Sequence, residues 1–131
     1  MARTEYDVEM TEGTAGGAPA ADLPFRVMLT MHIHPGQEAE FERTWLRIGD
    51  QITSHPANLG QWLIRSEEEA STYYIVSDWV DEPSFREFER SDRHLGHRQA
   101  LHPLRASGSM VTGSVLTHLV GAAAQPVPAA G

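Results

Sequence analysis

Strict alternation of apolar and polar side chains near residue 30 constrains the fold of this chain more than any other feature of its sequence. The apolar series occupies every second position: Phe25, Val27, Leu29, Met31 and Ile33. Successive side chains of a strand point to opposite faces of a sheet, so this period predicts a strand over Phe25–His34 with one face in a core. Pro35-Gly36 ends it.

A helix is predicted next, because the apolar spacing changes to three and four residues. Phe41, Trp45, Ile48 and Ile52 form one stripe of an amphipathic helix over residues 37–53. Its first turn is acidic, which the helix dipole favours.

A β-hairpin follows, indicated by two stretches rich in strand-forming residues. Leu59–Arg65 and Ser71–Val80 are the predicted strands, and the acidic link Glu67–Ala70 joins them.

A second helical region begins at Asp81-Glu82-Pro83-Ser84, since proline is tolerated in a first helical turn. We expect a break near Gly96 and an end at Leu101. The last strand is predicted over Ser109–Val120.

The order β-α-β-β-α-β predicts an α+β domain of the ferredoxin-like split βαβ class, with a four-stranded antiparallel sheet and the helices on one face. The other face would carry Trp62, Ile64 and Met28 or Met110, depending on register. Because a monomer would expose this apolar patch, we expect a homodimer that packs sheet against sheet.

One domain fits the length of 131 residues, and we place it at residues 23–120. Residues 1–22 carry five acids against one arginine within a Gly/Ala/Thr-rich stretch, which predicts a disordered acidic leader. Residues 121–131 are predicted to be a flexible tail.

Composition excludes several kinds of function. The chain has no cysteine, and its net charge of −8 makes nucleic acid an improbable partner. It has neither a glycine-rich phosphate loop nor a nucleophile elbow. No membrane-spanning run or secretory signal is visible, so we expect a cytoplasmic protein.

Seven histidines raise the question of a metal site. His94, His97 and His102 are close in sequence, and His32 and His34 share a strand face. Their spacing matches no metal motif, and arginines surround the first three. We interpret them as surface histidines and expect no metal.

Aromatic and polar side chains are concentrated in the hairpin, where they suit a flat aromatic ligand. They are Asn58, Gln61, Trp62, Tyr73, Tyr74, Asp78 and Trp79, with Arg86 in the following helix. The alternative is that Trp62 and one tyrosine are core or dimer residues.

Three segments together resemble the antibiotic biosynthesis monooxygenase family: residues 55–63, residues 73–79, and Phe85-Arg86-Glu87-Phe88-Glu89 followed by His94 and His97-Arg98. The likeness covers residues 25–119. The branch concerned comprises small oxygenases encoded beside type II polyketide synthases, including those of spore-pigment and angucycline clusters.

The resemblance implies a dimeric α/β barrel with a pocket between sheet and helices. It implies that Asn58 and Trp62, four residues apart, line the pocket with Tyr73 or Tyr74 and with the basic Arg86. The expected catalytic residues are Asn58, Trp62, Arg86 and His97. The expected substrate contacts are Tyr73, Tyr74, Trp79, Phe88 and His32.

The resemblance also implies an oxygenase acting on an aromatic polycyclic polyketide, with O₂ as co-substrate. Two versions stay open: cofactor-free oxidation of an anthrone or phenol to a quinone, and ring cleavage of an angucycline-type quinone with reduced FAD or FMN from a separate reductase. A non-oxidative cyclase or a ligand-binding accessory protein is the alternative from another class, because fold does not fix function.

Overall fold

The computed structural model describes residues 23–125, and every structural statement below concerns that part of the chain. It contains four strands and three α-helices. The strands are β1 (Phe25–Ile33), β2 (Asn58–Arg65), β3 (Thr72–Trp79) and β4 (Arg105–Ser114). The helices are α1 (Glu38–Thr53), α2 (Glu82–Glu89) and α3 (Asp92–Leu101), with short 3₁₀ turns at His102–Leu104 and Ala122–Ala124.

The four strands form one antiparallel sheet in the order β2-β3-β1-β4. This is the strand order of a ferredoxin-like split βαβ, so the predicted fold class is confirmed. A dimer lies outside a single chain and stays a prediction.

The helices cover one face of the sheet, which we call the helix face. Val27 and Ile33 of β1 are 2% exposed on this face, as the alternation predicts. Phe41 and Trp45 of α1 pack against one half of it. Phe85 and Phe88 of α2 pack against the other half, beside Phe25 and Trp79.

The second helical region is broken earlier than the sequence predicts. α2 begins at the N-cap Asp81, whose carboxylate accepts a hydrogen bond from the Ser84 N–H at 2.8 Å. It ends at Glu89, and the extended residue Ser91 caps the new helix α3 through the His94 N–H. The expected break near Gly96 is wrong, because a serine cap two residues after α2 starts α3 and carries it past that glycine.

The last strand lies four to six residues nearer the N-terminus than predicted. β-branched residues after position 114 favour strand structure there, but a strand needs a partner. β1 begins at Phe25, which pairs with Ser114, and the hydrogen bonding between the two segments ends with the Val115 N–H, which donates to the Pro24 carbonyl oxygen at 2.9 Å. At its other end Arg105 pairs with Ile33 across a register irregularity, which brings the start forward from Ser109.

A β-bulge interrupts β2 near its start. Asn58 lies opposite Trp79 and Gly60 lies opposite Asp78, so Leu59 is an extra residue. Gly60 has φ +152°, a conformation that favours glycine. The bulge changes which residues of β2 share a face, and this decides the position of Trp62.

The sheet surface away from the helices, which we call the open face, carries the apolar patch expected of it. Trp62, Ile64 and Met28 are on this face, whereas the register places Met110 opposite Leu29 on the helix face. Trp62 and Ile64 are 49% and 44% exposed.

Within residues 23–125, no helix is long and apolar enough to cross a bilayer. The cytoplasmic location stays a prediction, as do the boundaries of the domain. The predicted leader, and the tail from residue 126 onwards, lie outside the described residues.

Candidate active site

A cavity of about 230 Å³ lies between the helix face and the three helices. Its volume is just below the roughly 300–1,000 Å³ typical of small-molecule pockets. Val27, Leu29 and Ile75 of the sheet form its apolar floor, and Met110 of β4 borders it. The alternation of β1 thus supplies both the core and the floor of the site.

Aromatic side chains form two walls of the cavity. Trp45 lies on the α1 side, and Trp79 and Phe88 lie on the α2 side. The Phe88 ring centroid is 4.9 Å from that of Trp79 and 5.0 Å from that of His94. Such walls suit a flat aromatic ligand, since rings stack at centroid separations of about 4.5–7 Å.

His97 of α3 is the most buried titratable side chain of the cavity wall, at 7% exposure. Its Nε2 is 3.0 Å from Oε1 of Gln51 on α1. Its Nδ1 is buried and has no hydrogen-bond partner among residues 23–125. Burial, followed by the nearby Arg93, lowers the pKa of His97, so the neutral imidazole is favoured.

His94 lies one turn earlier on the same wall, with its ring centroid 6.4 Å from that of His97. Burial lowers the pKa of His94 first, and the charges of Arg98 and His97 lower it further. Its Nδ1 is also buried without a partner in the described chain. The interpretation of these two residues as surface histidines is wrong, because α3 turns both toward the sheet.

Two arginines give the cavity lining a positive balance although the whole chain has a net charge of −8. Arg98 of α3 and Arg105 at the start of β4 both line it. Glu89 is the one carboxylate among the described lining residues, and its Oε1 accepts a hydrogen bond from Arg86 at 3.1 Å. The electrostatics of the lining therefore favour an anionic or phenolic ligand.

Two uncharged polar groups complete the lining. Gln61 of β2 donates from Nε2 to the Gly49 carbonyl oxygen at 3.1 Å, which fixes its amide. The Ser77 hydroxyl oxygen accepts a hydrogen bond from the Trp79 indole N–H at 3.0 Å. The hydroxyl proton of Ser77 stays available to a ligand oxygen.

Of the residues expected from sequence, the cavity brings together His97, Trp79, Phe88 and Gln61. Asn58 and Arg86 lie on the same side of the domain but do not line it. Asn58 donates to the Asp78 carbonyl oxygen at 3.3 Å, and its Oδ1 is buried without a partner in the described chain. Arg86 hydrogen-bonds to Glu82 and Glu89 of its own helix α2, so its charge is already paired.

Trp62, expected in the pocket, lies on the open face instead. It pairs with Val76 in the ladder, and the Arg26 guanidinium lies 5.6 Å from its ring centroid. The physical reason is the bulge at Leu59, which shifts the alternation of β2 by one residue. The competing interpretation of Trp62 as a dimer residue fits this position.

The two tyrosines and His32 also lie away from the cavity. Tyr73 is 1% exposed in the core, where its hydroxyl donates to Glu42 Oε2 at 2.5 Å. Burial, followed by the bond to Glu42, raises the pKa of Tyr73 to about 12. Tyr74 and His32 alternate onto the open face, where Nδ1 of His32 is 3.0 Å from the Thr72 hydroxyl oxygen.

Sequence reasoning missed His94, Arg98 and Arg105 as cavity residues. The signal for the first two was the spacing of His94, His97, Arg98 and Leu101, which is one face of a helix. Arg105 could not be found in this way, because it reaches the cavity only through the early start of β4.

No group of three or more histidine, aspartate or glutamate side chains within residues 23–125 is arranged to hold a metal ion. The expectation that the protein uses no metal stays a prediction.

Comparison with known protein families identifies the family of this chain from its sequence. The sequence profile of antibiotic biosynthesis monooxygenases matches residues 24–100, which run from the start of β1 almost to the end of α3. The chain belongs to the antibiotic biosynthesis monooxygenase family. The resemblance seen in the sequence is thereby confirmed, and the cavity of this family member contains the matched His94 and His97.

Two curated relatives come from streptomycetes. Protein SchA of Streptomyces halstedii is 30% identical over 86 residues, which are 65% of this chain and 23% of that protein. The 42.8 kDa protein in the whiE locus of Streptomyces coelicolor is 30% identical over 70 residues, 53% of this chain and 18% of that protein. The chain thus spans less than a quarter of the length of either relative.

A solved structure with the same fold is that of SnoaB, a cofactor-independent oxygenase from Streptomyces nogalater. It superposes with a TM-score of 0.67 at 22% identity, covering 74% of this chain and 97% of that chain. At this identity the likeness establishes the shared fold of these two proteins.

Proposed function

We propose that this family member is an oxygenase that oxidises a phenolic, polycyclic aromatic molecule with O₂, as in the conversion of an anthrone-type polyketide to a quinone. The observation that carries the proposal is the aromatic-walled cavity in which the buried His97 keeps one ring nitrogen without a partner. Trp45 and Trp79 offer aromatic surfaces to a flat ring system, and His97 lines the same cavity.

The reaction balances without a further reductant. An anthrone and one O₂ give a quinone and one water. A base first removes a proton from the substrate, and the electron-rich anion then transfers one electron to O₂. Recombination of the two radicals forms a carbon-bound peroxide, and loss of water from it leaves the new carbonyl group.

The residues of the cavity suit these steps. His97 accepts the first proton and returns it when the peroxide breaks down, since a neutral imidazole can do both near pH 7. Arg98 and Arg105 stabilise the negative charge of the substrate anion. Gln61 and Ser77 are placed to hold substrate oxygens, and Trp79 and Phe88 to stack on the rings.

Oxygen uptake with 1,8-dihydroxy-9-anthrone tests this proposal. The purified chain with a metal chelator and no flavin should consume O₂ faster than the uncatalysed autoxidation, and should yield the anthraquinone. His97→Gln should lower kcat by roughly 100-fold, the usual contribution of a general base. Exposed His34→Gln is the matched control and should leave the rate unchanged.

The same assay separates the rival hypotheses. An absolute requirement for reduced flavin and a reductase would replace the cofactor-free version with the flavin-dependent one, including ring cleavage of an angucycline-type quinone. Product formed under nitrogen would instead favour a non-oxidative cyclase.

The open face carries a second part of the proposal, a homodimer that packs sheet against sheet. Val111, Trp62 and Ile64 are between 44% and 60% exposed in the single chain, and a second copy of the same face would bury them. Sedimentation analysis should give twice the mass of the chain, and a monomer at micromolar concentration would overturn this part.

A further inference from the structure

A contact between Gln51 and His97 joins α1 to α3. Gln51 Oε1 is an amide oxygen and only accepts hydrogen bonds, so in this orientation of the amide the His97 Nε2 at 3.0 Å is the donor. A neutral imidazole carries one proton. Nδ1 of His97, buried and without a partner among residues 23–125, is then the nitrogen with the free lone pair.

We propose that Gln51 is a positioning residue that holds His97 in the Nε2–H tautomer, so that Nδ1 accepts the proton of a substrate hydroxyl group. This inference rests on the proposed function, since it specifies which atom of the cavity acts as the base. It also specifies the substrate as one whose ionisable hydroxyl group reaches the α3 side of the cavity. In the proton-transfer step the substrate O–H bond breaks and an Nδ1–H bond forms, leaving an oxyanion and an imidazolium.

The surroundings of His97 are arranged for this step. A tautomer fixed by the partner of one ring nitrogen is a general way to aim the other. Arg93 acts on the His97 ring, and the titratable and charged groups that line the cavity with His97 are Glu89, His94, Arg98, His102 and Arg105. The three arginines oppose an isolated imidazolium but stabilise the oxyanion formed beside it.

Three proteins test the inference: the native chain, Gln51→Met and Gln51→Glu. Methionine keeps the length of the side chain and removes the acceptor, whereas glutamate keeps the acceptor and adds a charge. Nitrogen-15 spectra of the neutral ring should show the Nε2–H tautomer of His97 in the native chain and in Gln51→Glu. Gln51→Met should show a mixture.

Oxidation of 1,8-dihydroxy-9-anthrone provides the second readout. Gln51→Met should lower kcat about tenfold with little change in KM. This is less than the loss of the general base itself would cost, because part of the His97 population keeps the active tautomer. Gln51→Glu should restore kcat and move the acidic limb of the pH–rate profile to higher pH, because its carboxylate stabilises the imidazolium. Gln99→Met, an exposed glutamine on α3, should change neither the spectra nor the rates.

Binding of alizarin, a hydroxyanthraquinone whose absorption changes on ionisation, separates this inference from the proposed function. If the native chain binds alizarin as its anion while His97 takes up a proton at Nδ1, the inference holds even without oxygen uptake. An Nδ1–H tautomer in the native chain would overturn it even if the anthrone is oxidised. An unchanged tautomer in Gln51→Met would overturn it as well.

Discussion

The Asp78 carboxylate receives two hydrogen bonds from the Arg26 guanidinium, at 2.7 and 2.8 Å, on the open face near one end of β1 and β3. The bond to Asp78 raises the pKa of Arg26, which favours the charged guanidinium. The side chain of Asp78 is only 13% exposed. A nearly buried carboxylate therefore depends on one arginine, which in turn lies against Trp62.

Arg26→Ala should accordingly destabilise the protein. The change leaves the Asp78 carboxylate without its partner and removes the cation from the Trp62 ring, at a cost of about 1–3 kcal/mol in the free energy of unfolding. Urea unfolding followed by fluorescence measures it. Arg43→Ala breaks an exposed pair within α1 and should cost less than about 0.5 kcal/mol. Equal costs for the two variants would contradict the importance of burial here.

Met110 and Val111 are neighbours on β4 that face opposite sides of the sheet. Met110→Trp should obstruct the cavity and weaken alizarin binding at least tenfold while leaving the sedimentation coefficient unchanged. Val111→Trp should alter self-association and leave alizarin affinity within about twofold. An exchange of these two effects would mean that the sides of β4 are assigned wrongly.

Ser91→Ala and Gly96→Ala should have opposite effects on stability. Loss of the Ser91 cap should cost about 1 kcal/mol, because the N–H of His94 loses its acceptor. A Cβ at Gly96 meets no atom within 4 Å, so alanine should gain roughly 0.5–1 kcal/mol through its higher helix propensity. Thermal unfolding measures both, and destabilisation by Gly96→Ala would contradict a continuous α3.

Acid should destabilise the protein through His94 and His97 before it acts on carboxylates. Both histidines have pKa values below their ordinary value of 6.5, so the folded chain binds their protons less tightly than the unfolded chain does. Their contribution is fully present above about pH 6.5 and is lost as the pH falls through the lowered pKa values. The lowered pKa values of Glu38 and Asp81 act at more acidic pH, below 4.5 and 3.8.

Urea midpoints measured from pH 8 to pH 5 test this dependence. The double variant His94→Gln/His97→Gln should show a flatter profile than the native chain in this range, while His34→Gln should keep the native slope. If the urea midpoint of the double variant changes with pH as steeply as that of the native chain, groups other than His94 and His97 cause the pH dependence.

Tyr73 provides a test at high pH. Its pKa of about 12 lies above the ordinary value of 10, so the folded chain binds the phenol proton more tightly than the unfolded chain does. This contribution is fully present below pH 10 and is lost as the pH rises toward 12. An ultraviolet titration of the tyrosines should show one late component that is missing in Tyr73→Phe, whereas Tyr74→Phe should retain it.

The parts of the fold that could be predicted from sequence are those governed by local periodicity. The alternation of β1 and the stripe containing Phe41 and Trp45 each depend on neighbours along one element, so both were placed within one residue. The end of β4 could not be predicted, because it depends on where β1 begins to offer a partner.

The candidate site was predictable only where a residue type and a single element sufficed. The expected residues His97 of α3, Trp79 of β3 and Phe88 of α2 line the cavity, and their catalytic and binding roles stay predictions. Arg86 was expected from the family resemblance, but its guanidinium pairs with Glu82 and Glu89, four and three residues away on α2, whereas Arg98 lines the cavity. Trp62 was misplaced because one extra residue reverses the parity of a strand.

The bulge at Leu59 has a consequence for how members of this family are compared. Four residues separate Asn58 from Trp62 in the chain, but their partners Trp79 and Val76 are only three apart. The Asn and Trp of an Asn-x-x-x-Trp motif therefore lie an odd number of ladder positions apart in this sheet and point to opposite faces. In a regular strand they lie an even number apart and point to the same face. Two homologues that align over the motif can therefore place its tryptophan on opposite faces of the sheet. Residues of this strand should therefore be compared between homologues by their partners in the sheet and not by sequence alignment alone.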